Sequence, residues 1–89
     1  MAVYTVEFVK SAQKEFDLLD DKLQAKTAEA LKLLAQNPFS ELLNVKKLKG
    51  VDSLYRIRLG DYRVIYELRN EQLIVLVIKI GHRREVYRR

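Results

Sequence analysis

Hydrophobic positions change their period along this chain, and each change marks an element. In residues 3–9, Tyr4, Val6 and Phe8 alternate with Val3, Thr5 and Glu7. A period of two sends neighbouring side chains to opposite faces, so this stretch predicts a strand. Ser11 then stands where an N-cap would, and Ala12, Phe16 and Leu19 share one face of a short helix. Asp20-Asp21 interrupts that helix, and either residue is suited to cap a second. Leu23, Thr27, Ala30, Leu31 and Leu34 follow at the spacing of one helical face. Asn37-Pro38 ends it, because the residue before proline avoids helical geometry. The two helices read as a hairpin packed on a sheet, with the apolar stripe facing the core.

Residues 39–50 read as a connecting loop that Leu42, Leu43, Val45 and Leu48 tack to the core. Its lysines, Lys46, Lys47 and Lys49, are candidates for phosphate contacts or are simply solvated. Alternation then returns: Tyr55, Ile57 and Leu59 are interleaved with Arg56 and Arg58. The glycine-first dipeptide Gly60-Asp61 suits a two-residue type II′ hairpin turn. That turn places Leu59 opposite Tyr62, Arg58 opposite Arg63, Ile57 opposite Val64, and Arg56 opposite Ile65. Tyr55, Ile57, Leu59, Tyr62, Val64, Tyr66 and Leu68 then form a face for the helices to cover. Arg56, Arg58 and Arg63 gather on the other face.

Leu73 to Ile80 carries a single charge, Lys79, and is apolar on both faces, which predicts a strand in the middle of the sheet. A tight turn at Asn70-Glu71 would send Leu73, Val75 and Val77 to the core. Ile74, Leu76, Ile78 and Ile80 would join the arginine face, and by the same parity so would His82. The expected fold is α+β: a small, mainly antiparallel four-stranded sheet with an N-terminal helical hairpin on one face, in the order β-α-α-β-β-β.

Eighty-nine residues suit a single domain, 1–89, with a thin core. At 48% apolar and 33% charged, the chain is too apolar for disorder and too charged for a membrane protein. No apolar run approaches the ~20 residues of a spanning helix, and the first residues do not read as a signal peptide. Without cysteine there is no disulfide framework and no thiolate chemistry. A cytoplasmic protein that meets no membrane is the expectation. Charge is uneven: residues 1–45 are net −2, whereas residues 46–89 are net +7 and hold all eight arginines. That asymmetry points to an anionic partner, nucleic acid foremost.

Like charges directly opposite one another in a sheet are destabilising, so the paired arginines are not explained by folding. A phosphate explains them, because guanidinium forks match its oxygens. The competing account is a structural network in which Glu67 neutralises the cluster. The strand end adds His82, Arg83, Arg84, Glu85 and Tyr87. There is no carboxylate cluster for Mg²⁺, no His/Cys spacing for zinc and no glycine-rich phosphate loop, so neither metal nor cofactor is expected. A metal-free attack of an RNA 2′-OH on its own phosphorus needs a base, an acid for the leaving 5′ oxygen, and cations for the growing charge. Arginine supplies the last role but not the base. Histidine is the side chain type that titrates near neutrality, which makes His82 a candidate. A tyrosine beside guanidiniums is the other candidate; Tyr87 could instead stack on a base or merely pin the tail.

Residues 55–68 and 75–89 together resemble the RelE/ParE superfamily of bacterial toxins, the RelE branch most closely. The resemblance spans nearly the whole chain, from first strand and helical hairpin through Lys46–Gly50 to the 81–87 segment. It implies the fold just described, cleavage of mRNA in the A site of the 70S ribosome without metal, and neutralisation by a cognate RelB-like antitoxin. It also implies a monomer when alone and a heteromeric complex with antitoxin. By position, Arg56 and Arg58 take the places of two phosphate-stabilising lysines in the best-known member. Arg63 matches a phosphate and transition-state contact, Arg83 a residue implicated in leaving-group protonation, and Tyr87 the proposed base that also stacks on mRNA. The segment from Arg83 to Tyr87 is shorter here than in that member. Other branches place an acid/base histidine near this strand end, which keeps His82 in contention. The alternatives are a DNA gyrase inhibitor of the ParE type and an RNA-binding module that does not cut. ParE-like chains generally lack the full Arg/His/Tyr set.

Overall fold

A computed structural model of the chain describes residues 3–48 and 53–82. The elements are β1 (Thr5–Phe8), α1 (Lys10–Asp17), α2 (Asp21–Gln36), β2 (Lys46–Lys47), β3 (Leu54–Leu59), β4 (Tyr62–Arg69) and β5 (Ile74–His82), with a 3-10 turn at Glu41–Leu43. The sheet runs β1-β5-β4-β3-β2. β1 lies parallel to β5, and the other pairs are antiparallel. The fold is therefore α+β and mainly antiparallel, but the sheet has five strands rather than four. The extra strand is Lys46–Lys47, in the stretch that reads as a loop. Two residues are too few to show a period, and their pairing is supplied by Arg56 and Tyr55 of β3.

α1 begins one residue before Ser11, with Val9 rather than Ser11 at its N-cap and no side-chain cap. The Val9 amide bonds instead to the Val77 carbonyl (3.0 Å), so the sheet sets where the helix starts. α2 begins as expected: the Asp20 carboxylate accepts from the Leu23 amide at 2.8 Å. Thr27, Ala30, Leu31 and Leu34 are buried along α2. Ala30, Leu31 and Leu34 form one core cluster with Ile57, Val64, Tyr66, Leu68, Val75 and Val77 of the sheet. The Tyr66 hydroxyl donates to the Pro38 carbonyl (3.0 Å), giving the buried phenol its partner. Burial, with Tyr55 beside it, pushes the Tyr66 phenol well above its usual range. No helix among the described residues is long and apolar enough to cross a membrane.

β5 departs from the expected pairing twice. Arg69 pairs with Ile74, so the β4–β5 connection holds Asn70 to Leu73 and is longer than the expected two-residue turn. The change is even, so Val75 and Val77 keep their core face. Leu73 leaves the strand, adopts φ 56° and is exposed rather than buried. Further on, Tyr66 pairs with Val77 but Ile65 pairs with Lys79, which leaves Ile78 as a β-bulge. One extra residue inverts parity. Ile80, expected beside the arginines, is buried opposite Val64 on the helix face. His82, expected there too, lies opposite Tyr62 instead.

β1 stops at Phe8 while β5 continues, which leaves the β5 edge open near Ile80. Glu15 of α1 occupies that edge, accepting from the Ile80 amide (2.9 Å) and from Lys79 Nζ. A side chain thus replaces the missing strand neighbour. Glu15→Ala is expected to lower unfolding stability by about 1–3 kcal/mol, the usual range for orphaning a part-buried backbone donor. Urea denaturation should show a lower midpoint at unchanged m-value. Tyr66 generates a second expectation. The fold keeps this phenol protonated while the unfolded chain ionises above about pH 10. Its contribution is full below that pH and declines as pH rises beyond it. Tyr66→Phe should remove this part of the alkaline slope and lower stability at neutral pH by about 1 kcal/mol, read by denaturation at pH 7 and pH 11.

Candidate nucleic-acid interface

Gly60 sits at φ +62° while Asp61 stays out of the positive region, the pattern of a type II′ turn. The hairpin register is the expected one: Arg58 faces Arg63, Ile57 faces Val64, and Leu59 faces Tyr62. β2 adds Lys46 directly opposite Arg56. Lys46, Arg56, Arg58 and Arg63 therefore share the sheet face turned away from the helices. Lys47 lies opposite Tyr55 and belongs to the helix face, so it is not part of this row. Lys49, Arg83 and Tyr87 lie outside the described residues.

Two of the arginines are deeply set. Arg56 is 6% and Arg63 5% exposed, whereas Arg58 is open to solvent. Arg63 Nη1 donates to the carbonyls of Gly60 and Tyr62, each at 3.2 Å. Arg63 Nε and Arg56 Nη1 are buried without a hydrogen-bond partner. Glu67 does not neutralise the row: its Oε1 accepts from Arg69 Nε at 2.7 Å. Among the described residues no carboxylate pairs with Arg56, Arg58 or Arg63. Opposite Arg63 on β5 is Gly81, so that strand position sets no side chain against the guanidinium. Burying cationic nitrogens without acceptors is costly, and a ligand bearing several anionic oxygens relieves that cost.

His82 stands apart from this row. Its ring lies edge-on to Tyr62, centroids 5.8 Å apart, on the helix face. The structure thus brings together four cations and separates the histidine that the unbroken alternation grouped with them. Three further groups were not visible as site components in the sequence: the Gly60 and Tyr62 carbonyls and the bare Gly81. Gly60 did signal the turn, but nothing signalled that its carbonyl would meet Arg63. Among the described residues, no three His, Cys, Asp or Glu side chains converge as a metal site.

The unpartnered Arg56 nitrogen yields an expectation of opposite signs. Arg56→Met should raise the urea midpoint of the free protein, because a buried unpaired charge is replaced by an apolar chain of similar length. The same variant should weaken binding to a short single-stranded RNA and lower the slope of log K against log salt by about 1.

The family model for the ParE toxin of type II toxin–antitoxin systems matches residues 4–87. The mRNA interferase toxin RelE of Escherichia coli K12 is 31% identical over 88 residues, spanning 94% of this chain and 90% of that protein. In three dimensions, the archaeal RelE–RelB complex from Pyrococcus horikoshii OT3 contains a similar chain: TM-score 0.80, 32% identity, 91% of this chain and 96% of that one. The isolated E. coli RelE toxin gives a TM-score of 0.78 at 28% identity, covering 89% and 83%. Sequence, family model and fold agree, and the chain belongs to the RelE/ParE superfamily of toxins of type II toxin–antitoxin systems.

Proposed function

We propose that the protein is a ribosome-dependent mRNA endonuclease toxin that cuts mRNA in the ribosomal A site without metal. The observation that carries this reading is the row Lys46, Arg56, Arg58 and Arg63, with unpartnered nitrogens on its two buried arginines. Such a row suits a phosphodiester and gains little from any role in folding. Relatives named mRNA interferase RelE support it. The reaction starts with attack of a 2′-OH on the adjacent phosphorus. The P–O5′ bond breaks, leaving a 2′,3′-cyclic phosphate and a 5′-OH. Charge grows on the non-bridging oxygens, and Arg63 with Arg56 and Arg58 meets it. With His82 turned to the helix face, the reading has Tyr87 accept the 2′-OH proton and Arg83 donate a proton to the leaving 5′ oxygen.

RelE is found with RelB in the intact E. coli complex and in the P. horikoshii complex. By the same reading, a cognate RelB-like antitoxin holds this toxin inactive, using an acidic or amphipathic segment that satisfies the cationic face. Free toxin is a monomer in this account.

The test is primer extension on an mRNA translated in a purified system, with and without the protein. New 5′ ends within codons are expected only when ribosomes are loaded. The Arg63→Ala, Tyr87→Ala double variant should keep the fold and lose at least ~100-fold in cleavage, the scale of removing a transition-state donor. Undiminished cleavage by that variant would refute the residue assignments. Intact mRNA with inhibited gyrase supercoiling would move the protein to the ParE reading that its family model also allows.

A further inference from the structure

Among the described residues, Arg63 is held by main-chain acceptors rather than by a carboxylate. Its guanidinium stands opposite Arg58, which repels it, and its Nη1 is held by two backbone carbonyls of the adjoining turn. A carboxylate in that place would orient the group equally well but would cancel its charge. Carbonyl acceptors orient it and leave the full positive charge for an incoming anion.

One of those carbonyls belongs to Gly60, whose φ is +62°. A Cβ built on Gly60 meets nothing within 4 Å. Crowding therefore does not demand glycine there; the backbone conformation does. Where the Gly60 carbonyl points depends on that conformation, so a residue that resists positive φ turns the acceptor away from Nη1 without any clash.

We propose that Gly60 is a positioning residue for Arg63: its left-handed backbone aims a carbonyl that fixes the guanidinium beside the cationic row and leaves its charge uncancelled for the substrate phosphate. The proposal rests on the reading of Arg63 as a phosphate contact, and its test separates the two.

Three full-chain variants are compared with the parent. Gly60→Val places a β-branched side chain where φ is positive, a strained combination. Gly60→Asn keeps a residue that tolerates such turns. Asp61→Ala changes the turn without touching the acceptor residue. The first readout is ¹⁵N NMR of arginine side chains, in which a held guanidinium rotates slowly and shows separate Nη signals. The second is mRNA cleavage in the purified translation system. Gly60→Val should average the Arg63 signals while backbone amides away from the turn stay in place. Its kcat should fall about tenfold at unchanged KM, the scale of one charge-assisted hydrogen bond. Gly60→Asn should restore both readouts, and Asp61→Ala should change neither. If Gly60→Val does not fold, the milder Gly60→Ala is read in its place.

Unchanged Arg63 signals in the strained variant would overturn the proposal. So would released signals with full cleavage, or a loss that Asn does not rescue. Should the parent cut no mRNA while its Arg63 signals are separate and collapse in Gly60→Val, the hold on Arg63 is upheld and the nuclease reading fails.

Discussion

Arg58 and Arg63 face one another across β3 and β4, and the rest of the molecule is arranged so that they must. Their neighbours on the opposite face, Ile57 and Val64, are fully buried under the helices. Slipping the hairpin by one residue would bring arginine into the core and send valine out. Burying one such apolar side chain is worth roughly 1.5–3 kcal/mol, whereas a like-charge cross-strand pair costs only about 0.2–1 kcal/mol. The core decides the register, and the repulsive pair is carried along with it. One face of the sheet supplies stability, and the other holds a charge arrangement that stability alone would not select.

The parts legible in the sequence were those with a repeating physical signal. The α2 stripe, the Asp20 cap and the Asn37-Pro38 stop all read correctly, because period and local chemistry agree there. The hairpin read correctly to the residue, because a glycine-first dipeptide between alternating runs leaves one register that buries Ile57 and Val64. What escaped was short or aperiodic. Lys46–Lys47 has no period of its own and becomes a strand only through its partner. Ile78 looks like any other apolar residue in an apolar run, so nothing marks it as the bulge that moves His82 to the helix face. Strand parity can be trusted only as far as the first irregularity, and in a strand apolar on both faces that irregularity is silent. Of the candidate site, the arginine row was legible, but the carbonyl hold on Arg63 was not, because it depends on where a main-chain oxygen points.

Sequence reasoning is expected to fail locally where function opposes stability. Here the conflict is confined. The helix face satisfies its polar groups: Tyr66 finds Pro38, and Gln24 bridges to the Phe16 carbonyl. The orphaned buried side-chain atoms among the described residues are both guanidinium nitrogens of the cationic row. Such a division leaves the unmet hydrogen-bonding demand on the sheet face turned away from the helices.

The sheet order has one more consequence. β5 is the last described strand in the sequence yet sits inside the sheet, between β1 and β4. Among the described strands β1 pairs with β5 alone, and the core under α1 and α2 lacks Val75, Val77 and Ile80 until β5 arrives. Contacts of such long sequence separation form late and together. While the chain is still emerging from the ribosome that makes it, the helices have no completed sheet to lie on and the arginine hairpin has no backing. A chain without β5 would leave β1 unpaired and its core without Val75, Val77 and Ile80. The strand that comes late in the chain is thus the one that joins the two halves of the sheet.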